Sequence, residues 1–127
     1  MAISQKFYRC EVCGNLVGLI NSGGGTLVCC GQPMKELIPG TTDAATEKHV
    51  PVFTLEGDQL HVQIGSVEHP MTEEHWIQWI VVSDGTRTQR VKLNPGDAPK
   101  ATFIVDPNAP LAIYEYCNLH GLWKTDK

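Results

Sequence analysis

Eleven residues of this 127-residue chain have the chemistry of metal sites, and they fall into two separate sets. Cys10, Cys13, Cys29 and Cys30 make a four-thiolate set in the first quarter. Glu47, Lys48, His49, His69, His75, Cys117 and His120 are spread over the rest. The first set has the composition of a closed redox or structural centre. The second has too many imidazoles for a structural zinc site, and it includes a single thiolate.

Cys10-Glu11-Val12-Cys13-Gly14 is a chelating loop, in which two thiolates three residues apart can grip one ion. Gly14 permits the positive φ such a turn often needs. Cys29 and Cys30 are adjacent, and two neighbouring sulfurs reach one ion only where the backbone is bent. A zinc ribbon uses two spaced pairs instead, so the adjacent pair is the more specific feature. Zinc and iron both suit four sulfurs. Disulfides are disfavoured in a reducing compartment.

In the second set, His49, His69, His75 and His120 border loops or strand ends, where sites are usually built. Cys117-Asn118-Leu119-His120 lets one loop supply two ligands, and the N–H groups after Cys117 can donate to its sulfur. Four imidazoles and one thiolate make five ligands. A five-coordinate iron keeps one open position for a small oxygen ligand, with a thiolate to push electron density toward it. His61 stands apart, mid-strand in an alternating pattern, and is read as a packed or surface histidine.

The rest of the sequence must position these residues. With 42% apolar residues a buried core is possible, and the length suits one ordinary domain or a small domain plus a modest sandwich. Residues 1–37 are rich in Gly and Cys and short of regular structure, so a metal staple is expected there. Residues 38–49 read as a linker followed by a loop or short helical turn. From Val50 onward the pattern is β: Val50–Leu55, Leu60–Ile64, Trp76–Val82, Thr86–Leu93, Ala101–Val105 and Leu111–Tyr116, with Asp84-Gly85 as a hairpin turn. Short strands spaced by turn signals predict a sandwich. Trp76, Trp79, Phe103, Tyr114, Tyr116 and Trp123 are expected in its core, Trp123 shielding the second site and both tyrosines facing one side.

A net charge of −4 and no Lys/Arg cluster argue against nucleic acid. No run of about 18 apolar residues predicts a membrane span. The N-terminal run lacks the apolar stretch of a secretory signal, so the cytoplasm is the expected location.

Several segments resemble desulfoferrodoxin, the two-iron class of superoxide reductase. They are Tyr8–Asn15, Cys29–Met34, Glu47–Pro51, His69–Met71, His75–Ile77 and Cys117–Trp123, in the family's order over nearly the whole chain. The resemblance implies a desulforedoxin-like domain over 1–37 with an iron held by Cys10, Cys13, Cys29 and Cys30. It implies an immunoglobulin-like β-sandwich over 38–127 with a catalytic iron, His49, His69, His75 and His120 equatorial and Cys117 axial. The implied activity is one-electron reduction of superoxide to hydrogen peroxide. Lys48 would attract the anion and order water for proton delivery. Glu47 resembles the family glutamate that closes the sixth position after oxidation. A rubredoxin-like electron donor and a homodimer are further implications, and calcium is left open. The competing classes are a non-enzymatic electron carrier, which needs no open position and no Lys48, and a zinc-stapled binding module, which would be colourless.

Overall fold

The computed structural model describes residues 3–42 and 44–127. The chain divides into two compact units, one over Ser4–Ile38 and one over Pro39–Lys127 together with Ile3.

The first unit is built from very short strands. β1 (Lys6–Arg9) lies between β2 (Leu16–Leu19) and β5 (Lys35–Leu37), both antiparallel to it. β3 (Val28–Cys29) and β4 (Gln32–Pro33) form a separate tight hairpin. The sequence reading of residues 1–37 as short of regular structure therefore needs correcting. A three-stranded sheet is present, but strands of two to four residues leave no periodicity to read. Few side chains of this unit are buried; Phe7 of β1 and Cys10, just after it, are.

The second unit is an antiparallel sandwich. One sheet has the order β10-β7-β6, from β6 (Pro51–Glu56), β7 (Gln59–Ile64) and β10 (Lys100–Ile104). The other has the order β12-β11-β8-β9, from β8 (Ile77–Ser83), β9 (Thr88–Lys92), β11 (Ala112–Cys117) and β12 (Gly121–Asp126). Leu60, Val62 and Ile64 alternate along β7 and point inward, while His61 and Gln63 do not share that face. They meet Ile80 and Val82 of β8, Ile113 and Cys117 of β11, and Phe103 of β10 in one core. Trp79, Phe103, Tyr114, Tyr116 and Trp123 are buried, and Trp76 is half-buried. Trp79 and Tyr116 stack at 5.8 Å.

The β8–β9 turn forms as expected from Asp84-Gly85. The Asp84 Oδ1 accepts from Thr86 N at 2.8 Å and Arg87 N at 2.6 Å, and Gly85 has φ +90°. β12 carries no strand signal in the sequence, because Gly121–Asp126 follows a ligand loop and mixes polar with apolar residues. The expected helical turn is present as α1 (Thr46–His49), a single turn.

Candidate metal centres

The four cysteines of the first unit bring their sulfurs within 4.8 Å of one another. Cys10 follows β1 directly, and the chain then turns back: Gly14 N donates to Cys10 O at 2.9 Å and Cys10 N to Asn15 O at 2.8 Å. This turn aims backbone donors at sulfur, with Cys13 N at 3.4 Å from Cys10 Sγ and Asn15 N at 3.5 Å from Cys13 Sγ. Gly14 has φ +82°.

The adjacent pair is explained by the β3–β4 hairpin. Its two-residue loop is Cys30-Gly31, with φ +52° and +75°, the positive values a type I′ turn demands. Cys30 is the only non-glycine among the described residues with positive φ. The turn folds Cys30 back beside Cys29, with sulfurs 3.9 Å apart, and Cys13 Sγ lies 3.6 Å from Cys29 Sγ. A tetrahedral ion with bonds of about 2.3 Å separates its sulfurs by about 3.8 Å, so these edges fit. The amide of Cys13 lowers the Cys10 thiol to about 6. Hydrogen bonding to Cys13, then Cys10 and Cys29, pushes Cys30 up to about 12. Without a cation Cys10 thus gives up its proton more readily than Cys30; a bound ion would displace the protons of its thiol ligands.

The second group comprises His49, His69, His75, Cys117 and His120, with donor atoms again within 4.8 Å of one another. Each comes from a different place in the second unit. His49 ends α1, His69 lies between β7 and β8, His75 precedes β8, Cys117 ends β11, and His120 sits in the β11–β12 turn. At Cys117 the β11–β8 ladder shifts register, so that Tyr116 pairs with Trp79 but Cys117 with Ile77. Such a bulge re-aims a side chain at a site.

The four imidazoles form a square. Around it, His49–His69, His69–His75, His75–His120 and His120–His49 have ring centroids 4.7, 4.6, 4.9 and 4.8 Å apart. Neighbouring rings are near perpendicular, while the diagonal pair His49–His75 lies at 6.4 Å with planes 29° apart. The nitrogen edges measured are 3.0 Å for His49 Nε2–His120 Nδ1 and 3.3 Å for His69 Nε2–His49 Nε2. An ion with bonds of about 2.1 Å places neighbouring ligands at right angles about 3.0 Å apart.

The tautomers test whether a cation fits. His49 Nδ1 lies 2.7 Å from Ala45 O and His69 Nδ1 2.6 Å from Pro70 O. A carbonyl only accepts, so both Nδ1 atoms carry the proton and both Nε2 atoms are bare. Two bare nitrogens 3.3 Å apart cannot hydrogen-bond to each other. His75 Nε2 is buried and has no hydrogen-bond partner. These lone pairs converge with nothing in the protein to satisfy all of them, and a cation does so. Burial, and then like-charge neighbours, hold His69 down at about 4. Burial also lowers His49 and His75. Burial raises the Cys117 thiol, against the amides of Leu119 and His120, so a cation is needed to hold its thiolate.

Trp123 packs on this square. Its ring stacks on His49 at 5.1 Å and 30°, and its indole N–H donates to His120 O at 3.0 Å. Glu47 and Lys48 are exposed on α1, and neither side chain is among the converging donors. The charge of Lys48 nonetheless acts on both His49 and His75. His61 lies outside the group, 3.0 Å from Thr102 Oγ1.

Sequence reasoning missed two residues here. Gly65 has φ +82°, and a Cβ there would lie 2.8 Å from Glu47 O, so only glycine lets the end of β7 press against α1. A glycine closing an alternating strand was the available signal. Glu115 is fully buried, its carboxyl without a hydrogen-bond partner and held protonated by burial. Both faces of β11 are buried, so alternation could not mark it.

A sandwich carrying a square of imidazoles with a thiolate, alongside a four-sulfur unit, defines a two-centre β metalloprotein. Residues 41–126 match the family model for desulfoferrodoxin and residues 3–37 that for the desulfoferrodoxin N-terminal domain; the chain belongs to the desulfoferrodoxin family. It is 50% identical over 127 residues to the desulfoferrodoxin of Nitratidesulfovibrio vulgaris, covering 99% of each chain. It is 49% identical over 126 residues to that of Syntrophotalea carbinolica, again 99% of each. Among solved structures it is similar to the superoxide reductase of Treponema pallidum, at 34% identity and TM-score 0.78, covering 96% of this chain and 98% of that one.

Proposed function

We propose that this chain is a superoxide reductase, reducing superoxide by one electron to hydrogen peroxide: one superoxide, one electron and two protons give one peroxide. The observation that carries the reading is the square of four imidazoles with the Cys117 thiol beside it. Five donors around a six-coordinate ion leave one position for a small ligand.

Residues 1–37 are read as the four-cysteine iron domain and 38–127 as the catalytic domain, with one iron in each. In the second centre, His49, His69, His75, His120 and Cys117 would hold the ion. Bound iron there supplies a one-electron couple and the free position. The protein residues do the rest. Nδ1 bonds from His49 and His69 to carbonyls keep their rings oriented and raise their donor strength. The Cys117 sulfur accepts from the amides of Leu119 and His120, which moderates its electron donation. Lys48 supplies positive charge on a chain whose net charge of −4 repels the substrate, and its Nζ orders water that delivers protons. Glu47, on the same turn, is the carboxylate that would close the remaining position once a bound iron is oxidised.

The four-cysteine centre leaves Cys13 and Cys30 exposed, which favours electron transfer there over a purely structural role. A rubredoxin-like donor, a homodimer and a cytoplasmic location complete the proposal. No helix of the described residues is long and apolar enough to cross a membrane. A superoxide pulse on the reduced two-iron protein, with peroxide counted against superoxide consumed, tests the activity. One peroxide per superoxide supports it, and one peroxide per two superoxides would mean dismutation.

A further inference from the structure

The four imidazoles are not held alike. His49 and His69 are fixed by their own Nδ1 bonds to Ala45 O and Pro70 O. His120 is fixed through its backbone, whose carbonyl accepts the Trp123 indole N–H. His75 differs at its ring: among the described residues the imidazole makes no hydrogen bond, Nε2 is buried and unpartnered, and only the backbone of the segment is tied down. What holds His75 is the peptide on each side of it.

On the near side, Thr72 closes a turn onto His75. Thr72 N donates to His75 O at 2.9 Å, and His75 N donates to Thr72 O at 3.2 Å. On the far side stands one residue, Asn118. Its Oδ1 accepts from Trp76 N at 2.9 Å, and its Nδ2 donates to Glu74 O at 2.9 Å. Its backbone N donates to Trp76 O at 3.3 Å. Three hydrogen bonds therefore run from Asn118 to the two residues that flank His75. Asn118 is also covalently joined to Cys117, at the point where the β11–β8 ladder has just lost register. Beyond that bulge the side-chain amide supplies the donor and acceptor that a paired backbone would have supplied.

We propose that Asn118 is a positioning residue that fixes His75 relative to Cys117. It touches no donor atom of the site. It acts by tying the peptide that carries the one imidazole without a hydrogen bond of its own to the peptide that carries the thiolate. The chemistry requires an amide. Oδ1 must accept while Nδ2 donates, in opposite directions along the His75 segment, and no carboxylate or hydroxyl offers both at this reach. Outer partners of metal ligands typically change affinity 10–100-fold when removed.

The inference rests on the proposed superoxide reductase reading only for its functional consequence; the clasp itself is tested on metal binding. Full-length protein carrying both irons would be prepared as wild type, Asn118→Ala and Asn118→Asp. A surface variant of the distant β8–β9 turn, Asp84→Ala, controls for general destabilisation, because it loses two backbone-capping bonds away from the site. Ferrous affinity of the histidine–cysteine centre is read by chelator competition, and the ferric thiolate absorption band is read in the oxidised protein. Asn118→Ala is expected to lose about 10–100-fold in affinity and to shift the band. Asn118→Asp keeps the acceptor for Trp76 N, loses the donor for Glu74 O, and is expected to fall between. Asp84→Ala is expected to leave the band unmoved. Wild-type affinity and an unmoved band in Asn118→Ala overturn the proposal, and so does an equal band shift in Asp84→Ala. If wild-type protein ignores superoxide while Asn118→Ala still loses affinity, the activity fails and the clasp stands.

Discussion

His49 and His69 present bare ring nitrogens to each other across 3.3 Å, each ring locked in that tautomer by a carbonyl behind it. The arrangement is stable only with a cation between them or with the lone pairs left unsatisfied. Metal removal should therefore weaken the sandwich, and acid should weaken the metal-free protein further. Burial places the folded His69 at about 4, below its ordinary 6.5, and lowers His49 and His75 as well. The unfolded chain then binds more protons than the folded one, so stability rises with pH in this window. Chelated protein should hold its stability above about pH 6.5 and lose it progressively toward pH 4. Urea unfolding of the chelated form across pH 4–8 checks this, and a flat profile would contradict the buried neutral square.

Gly65 carries α1 into place. Alanine there meets a left-handed φ of +82°, costing about 1–2 kcal/mol, and a backbone oxygen 2.8 Å away that belongs to Glu47. Because α1 bears both Lys48 and His49, Gly65→Ala should lower iron at the second centre and leave the four-cysteine centre loaded. Iron per chain falling from two toward one, with the sulfur-centre absorption unchanged, is the expected outcome.

Lys48→Ala should slow the bimolecular reaction with superoxide by about tenfold and flatten its dependence on ionic strength, because a local cation steers an anion toward an acidic protein. Glu47→Ala should leave that rate nearly unchanged and alter the ferric spectrum. Stopped-flow traces at several salt concentrations separate the two residues. Swapped phenotypes would exchange their roles.

Trp123 touches two ligands by different means, stacking on His49 and donating to His120 O. Trp123→Phe keeps an aromatic face and removes the N–H. It should lower ferrous affinity by up to about tenfold with the fold intact, whereas Trp123→Ala should also destabilise the core by about 3–5 kcal/mol. Chelator competition with parallel thermal melts distinguishes the two effects.

The donor residues were legible in the sequence because metal chemistry restricts residue type so tightly. Cys, His and a Cys-x-x-His loop stand out in any context, and the alternation of β7 and the Asp84-Gly85 turn follow from local physics. The positioning devices were hidden for different reasons. The bend that unites Cys29 and Cys30 is a positive φ at a non-glycine, which residue type does not announce. Gly65 matters through a contact with α1, sixteen or more residues earlier. Asn118 matters through residues 74 and 76, more than forty positions away. Glu115 is invisible because β11 is buried on both faces. Contacts set by tertiary packing leave no periodic trace.

The most direct test of the central claim is iron stoichiometry joined to a superoxide pulse on the fully reduced protein. The account predicts about two irons per chain, oxidation of the histidine–cysteine centre by superoxide, and one peroxide released per superoxide consumed. Zinc at both sites in protein from its native host, or iron that superoxide leaves reduced, would contradict it.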